Sequence, residues 1–331
     1  ELPADEEARI RTEPTRDLAA YQLYLKGRHL LIQYTTEAMH RAIAYFRRAI
    51  ADDPSFALAH ASIALAYAEL AESGAVPSDD ARREAWTAGR EALRLDPGLA
   101  ESHCAVAHMK CLWEFDWDGA ERSFRRALEL GPSSADTYDL YGRMCAAVGR
   151  FDEAIAMQRR AQELDPLAHR LDVATTLVRA GRYPEAEAEA GRAVDFDPDH
   201  DRAHATLGWA LLLQGRLQEG LTCLERAVAL SPDTDMWRAQ LGQALALHGR
   251  EDEARSILRR FQDRPADDPA SPYHLAYIHT GLGEHDQAMD LLERAFEDRV
   301  GSVYSIKASF LFAPLRSHPR FRTLMEKMDL G

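Results

Sequence analysis

A chain of 331 residues with 46 % hydrophobic and 28 % charged side chains has the make-up of a folded, soluble protein and excludes a disordered or collagen-like one. Its formal net charge of −14 sets it against phosphate backbones and anionic lipid, so neither nucleic acid nor a membrane is expected as a partner. No run approaches the roughly 20 apolar residues that a bilayer crossing needs, and Cys104, Cys111, Cys145 and Cys223 lack the spacing of a disulfide framework, which points to reduced thiols and the cytoplasm.

In chain order, residues 1–16 read as a short helix or linker through ADEEARIR, an acidic start unlike a secretory leader, with Thr15 or Asp17 placed to cap the next helix. Because the chain opens at Glu1 and not at methionine, it reads as a piece of a longer polypeptide. From there punctuation becomes periodic. Prolines end helical stretches at Pro54, Pro97, Pro132, Pro166, Pro198 and Pro232, at intervals of 43, 35, 34, 32 and 34 residues. Glycines suited to a helix C′ position fall at Gly149, Gly181, Gly215, Gly249 and Gly283, at intervals of 32, 34, 34 and 34.

Between these stops, one small residue recurs in each first helix (Gly27, Ala64, Ala107, Gly142, Ala174, Gly208, Gly242, Ala276) and one in each second helix (Ala42, Ala85, Ala120, Ala154, Ala186, Gly220, Ala254, Ala288). Missing bulk at both places lets the two helices approach closely. The spacing predicts eight helix pairs, over 17–54, 55–97, 98–132, 133–166, 167–198, 199–232, 233–269 and 270–300, with a C-terminal cap over 301–331 in which FLFAPL is an apolar turn before an amphipathic helix.

This 34-residue pattern resembles the tetratricopeptide repeat (TPR), over roughly residues 20 to 300. The resemblance implies an all-α fold, a right-handed superhelical solenoid of about eight TPR helix-turn-helix repeats with a C-terminal capping helix. The strings AYQLYLKGRHLL, WEFDWDGAERSFRRALEL, SPYHLAYIHTGLGEHDQA and APLRSHPRF are similar to the C-terminal repeat regions of bacterial multidomain signalling proteins that carry a kinase, a nucleotide cyclase or a winged-helix domain. That likeness implies a regulatory or scaffolding module that binds a protein or peptide in its concave groove. Two other roles stay open, a sensor for a small effector or signalling peptide and a substrate-recruiting fragment of a kinase or cyclase.

In such an array the first helices line the groove. The partner-binding candidates on them are Tyr24, Arg28, His108, Asp139, Arg143, Trp209, Gln243, Tyr273 and Tyr277: rigid aromatics dominate interfaces and arginines grip carboxylates. The competing reading is that each ring packs against the neighbouring repeat. The lysine and asparagine clamp of chaperone-tail binders is not expected, since Tyr24 and Arg28 stand there and the sequence has no asparagine. Cys104, His108 and Cys111, at i, i+4 and i+7, are candidate soft metal ligands, but no fourth ligand accompanies them and buried structural cysteine is the simpler reading; no metal and no cofactor is expected. An arginine ladder (Arg48, Arg126, Arg160, Arg192, Arg226, Arg260, Arg294) is expected to pair with surrounding carboxylates. The phosphate-loop, zinc-protease, nucleophile-elbow and kinase motifs are missing, and the pairs Asp52-Asp53 and Asp267-Asp268 sit in predicted turns, so no enzymatic activity is expected.

Overall fold

The structure is a computed structural model that describes residues 15–331 except 32–34, 75, 77 and 266–268. The helix expected in residues 1–16 falls almost wholly outside the described residues, as does the Asp267-Asp268 pair. Among the described residues every regular element is helical, and no helix is long and apolar enough to cross a membrane. Backbone contacts divide the chain into two units, Glu1–Tyr141 and Gly142–Gly331.

The first unit holds α1 (Leu18–Leu31), α2 (Thr36–Asp52), α3 (Ala57–Glu72), α4 (Ser78–Leu95), α5 (Ala100–Met109), α6 (Trp117–Leu130) and the start of α7 (Ala135–Ala147). The second holds the end of α7, then α8 (Phe151–Leu164), α9 (Asp172–Arg179), α10 (Tyr183–Phe196), α11 (Asp201–Leu212), α12 (Leu217–Leu230), α13 (Asp235–Leu247), α14 (Glu251–Gln262), α15 (Pro272–Gly281) and α16 (His285–Glu297). Two 3₁₀ segments, Gly301–Ala308 and Phe310–Leu315, lead to α17 (Pro319–Lys327), which buries Phe321, Leu324 and Met325 and packs on α16. Within each unit, odd-numbered helices pack on the even-numbered helix that follows, as α1 does on α2 and α11 on α12, and some odd-numbered helices also touch the next odd one: α3 with α5, α9 with α11 and α13 with α15.

The small residues act as the spacing requires. Ala42, Ala64, Ala85, Ala107, Ala120, Ala154, Ala174, Ala186, Ala254, Ala276 and Ala288 are all fully buried. At Gly27 a Cβ would stand 2.4 Å from the Phe46 ring, so α1 and α2 meet at a distance only hydrogen allows.

Helix ends follow local chemistry. Asp17 Oδ1 accepts from the Ala19 and Ala20 amides at 2.8 and 2.9 Å and caps α1. After α7, the Gly149 amide bonds the Ala146 carbonyl and the Arg150 amide bonds the Cys145 carbonyl, a Schellman ending that needs the positive φ of 92° at Gly149. One period earlier stands Phe115, left-handed with φ 52° after a π turn over Lys110–Glu114. No residue pattern marks that turn, because the glycine series begins only at Gly149. Past the second helices, Asp53, Asp96, Asp165 and Asp197 accept amides of the Asp-Pro turns at 2.8 to 3.3 Å, so the Asp53 carboxylate of the acidic pair is a turn-former.

Candidate partner-binding face

In the first unit Tyr24 is buried, its ring 5.7 Å from Phe46 and 5.3 Å from Phe56, and burial pushes its hydroxyl up to about 12. Beside it Arg28 reaches Asp136, 108 residues along the chain, at 3.3 Å. Glu101, whose carboxyl burial raises, adds its charge to the Arg28 field. The start of α7 therefore lies against α1. Glu101 and Asp136 were not among the sequence candidates, although each stands six residues before a small residue, Ala107 and Gly142, a regularity that could have found them.

His108 is 1 % exposed, and its Nε2 faces Glu72 Oε2 at 3.5 Å and Glu69 Oε1 at 3.7 Å. Cys104, His108 and Cys111 do not come together as a ligand set: the histidine turns to two carboxylates on α3, and the cysteines do not join it in a cluster of close ligand atoms among the described residues. A π turn begins at Lys110, so the i, i+4, i+7 spacing of an α-helix is not kept through Cys111. Burial raises the Cys104 thiol, which keeps it protonated and inert. Asp139 is also buried, so it does not present a free carboxylate.

In the second unit four candidates converge. Trp209 on α11 is 4 % exposed, donates from Nε1 to Gln240 Oε1 at 2.8 Å, and meets the Phe310 ring edge-on at 5.1 Å. Gln243 on α13 donates from Nε2 to the Leu311 carbonyl at 2.6 Å. Tyr273 and Tyr277 on α15 hold the Phe312 ring between them, at 5.2 and 5.1 Å. The expectation that these side chains line an open groove does not hold for this face: the chain's own 3₁₀ segment covers them. The sequence places FLFAPL in the cap over the last repeat, and its two aromatics separated by one residue are the signal for the two rings that dock here. Arg143, in the same unit, keeps partial exposure.

His274, between the two tyrosines in sequence, is fully buried, and burial lowers it to about 4 against a weaker opposing pull from Asp235. The folded value lies below the unfolded one, so its contribution is intact above pH 6.5 and is lost as pH falls towards 4. Taking the unfolded value as about 6.5, acidification from pH 7 to 5 should cost about 2 kcal/mol. Urea titrations at the two pH values should show that loss, and His274→Phe should reduce it.

Outside this face, the arginine ladder pairs largely as expected, through Arg126–Glu129, Arg160–Glu163, Arg192–Glu189, Arg226–Asp199 and Arg294–Asp298. These pairs are exposed and each contributes little. A shallow cleft between α10 and α12 is likewise lined by charges that satisfy one another, Arg216 with Glu187 and Glu219.

The fold and this face define a helical-hairpin repeat array whose first helices hold a chain segment. Tetratricopeptide repeats are identified in it: family models of that repeat match residues 116–169, 177–244 and 273–297. Among solved structures, the Cut9–Hcn1 hetero-tetramer of the APC/C is similar over 98 % of this chain and 58 % of that one, with TM-score 0.62 and 16 % identity. Yeast Tom70 is similar over 96 % of this chain and 70 % of its own, with TM-score 0.54 and 16 % identity. In sequence, the transcriptional regulator HilA of Salmonella typhimurium is 24 % identical over 144 residues, 44 % of this chain and 26 % of that protein, so the match spans about a quarter of the relative's length.

Proposed function

We propose that this chain is a partner-docking segment that binds a linear stretch of a protein along the faces of its first helices, within a larger bacterial signalling protein. One observation carries the binding reading: on the second unit, two tyrosines, a tryptophan and a glutamine amide already hold a short 3₁₀ segment from outside the repeats by its aromatic side chains and its backbone carbonyl. Those are the contacts a bound peptide makes. The likeness to a transcriptional regulator supports the signalling setting. The alternation of helices from α1 to α16 supports reading residues 17–300 as eight repeats and 301–331 as their cap. The net charge of −14 weighs against nucleic acid and membrane as partners.

Panning a random linear-peptide library against the full chain tests the proposal. Peptides with two aromatic residues one position apart should be enriched, and enrichment should fail on Trp209→Ala. Enrichment that is absent, or indifferent to that substitution, contradicts it.

A further inference from the structure

We infer that the segment Phe310–Leu315 is a displaceable occupant of the second unit's first-helix face, and that the ligand which displaces it is an extended peptide carrying an aromatic-aliphatic-aromatic triplet. The inference rests on the binding function proposed above and concerns its regulation.

The geometry points there because the fit of the resident segment is incomplete. Gln243 is 1 % exposed and uses its amide nitrogen on the Leu311 carbonyl, yet no donor among the described residues reaches its Oε1. A buried acceptor without a donor carries a desolvation penalty. A 3₁₀ segment cannot supply the missing donor readily, because its amides turn inward to its own carbonyls. An extended chain differs. Its successive carbonyl and N–H groups stay free and point to either side, so one residue can accept from Gln243 Nε2 while a neighbour donates to Oε1. Residues two apart on an extended chain also share a side, which suits two aromatics entering the places of Phe310 and Phe312.

The remaining hold on the segment is modest. Phe310 is only partly buried, and the turn contains Pro314, which lacks a donor. Against this, Phe312 and Leu315 are fully buried, so the docked form is the ground state and opening is a minority event. An external ligand therefore binds with an affinity reduced by the fraction of open chains.

The test uses a labelled peptide SFLFAPLR, the sequence of residues 309–316, added in trans. The full-length double variant Phe310→Ala/Phe312→Ala should bind it at least tenfold more tightly than the wild type does, and adding Gln243→Leu should remove that gain. Equal binding by variant and wild type overturns the inference, as does no binding by a variant with unchanged circular dichroism. A second measurement holds even if the variant fails to fold. In the wild type, the amides of residues 310–313 and 315 should exchange at least tenfold faster than the interior amides of α15; equal protection means the segment leaves only on global unfolding and overturns the inference. Library peptides that bind the wild type without changing exchange at 310–315 refute displacement alone. A segment that opens while no peptide binds refutes the docking function beneath it.

Discussion

Gly208→Leu should lower the stability of the chain by about 3 kcal/mol, read as a reduced urea midpoint and melting temperature. A Cβ at this position would lie 2.9 Å from the Gly220 carbonyl oxygen, 3.1 Å from Leu224 Cγ and 3.2 Å from Cys223 Cβ. Two glycines face each other where α11 crosses α12, and the first obstacle is backbone, which cannot rotate away. Leucine favours helix over glycine by about 1 kcal/mol. The steric cost exceeds that gain, since separating α11 from α12 also disturbs the contact of α12 with α13. An unchanged melting temperature would refute the register that pairs Gly208 with Gly220.

Asp172→Ala should cost about the same, about 3 kcal/mol, by leaving a buried histidine and an arginine without their shared anion. Asp172 begins α9 and is nearly buried; its Oδ1 accepts from Arg202 at 2.6 Å and its Oδ2 faces His169 Nδ1 at 3.0 Å. Burial alone would raise this carboxyl, but the charges of Arg202 and His169 outweigh it and hold the group far below the usual carboxylate range. With the folded value depressed, the contribution is complete above the unfolded value of about 3.9 and disappears only as pH falls below it. Urea midpoints should separate wild type from variant at pH 7 and draw together in strong acid; a variant as stable as wild type at pH 7 would show the ion pair to be energetically idle.

The sequence carried much of the fold because its punctuation is local. Positive φ at Gly149, Asp-Pro turns after the second helices and fully buried small residues such as Ala64 and Ala254 each follow from one residue's own geometry, so a 34-residue recurrence could be read without any knowledge of packing. Departures appear where one residue substitutes for another at a repeated place. Phe115 adopts the left-handed conformation without being glycine, and the π turn before it breaks the α-helical spacing on which the Cys104, His108 and Cys111 reading depended.

The candidate site was legible only in part, for a different reason. Spacing placed Trp209, Gln243, Tyr273 and Tyr277 on first helices, and there they converge, but their neighbours come from a segment 33 or more residues downstream that lies outside the period. Periodicity reports which face of a helix a residue occupies and is silent about a non-repeating segment that docks on that face. The same holds for Arg28, whose carboxylate partner Asp136 lies three repeats away.

The central claim is that partners bind on the face that holds Phe310–Leu315. A chain labelled with 5-fluorotryptophan carries five reporters, among them Trp209 beneath that segment and Trp86, stacked under Arg90 on the second helix α4. Titrating it with a library-selected aromatic peptide and recording fluorine NMR should move the Trp209 resonance and leave that of Trp86 in place. A Trp209 resonance that stays fixed while the peptide is bound would contradict the account.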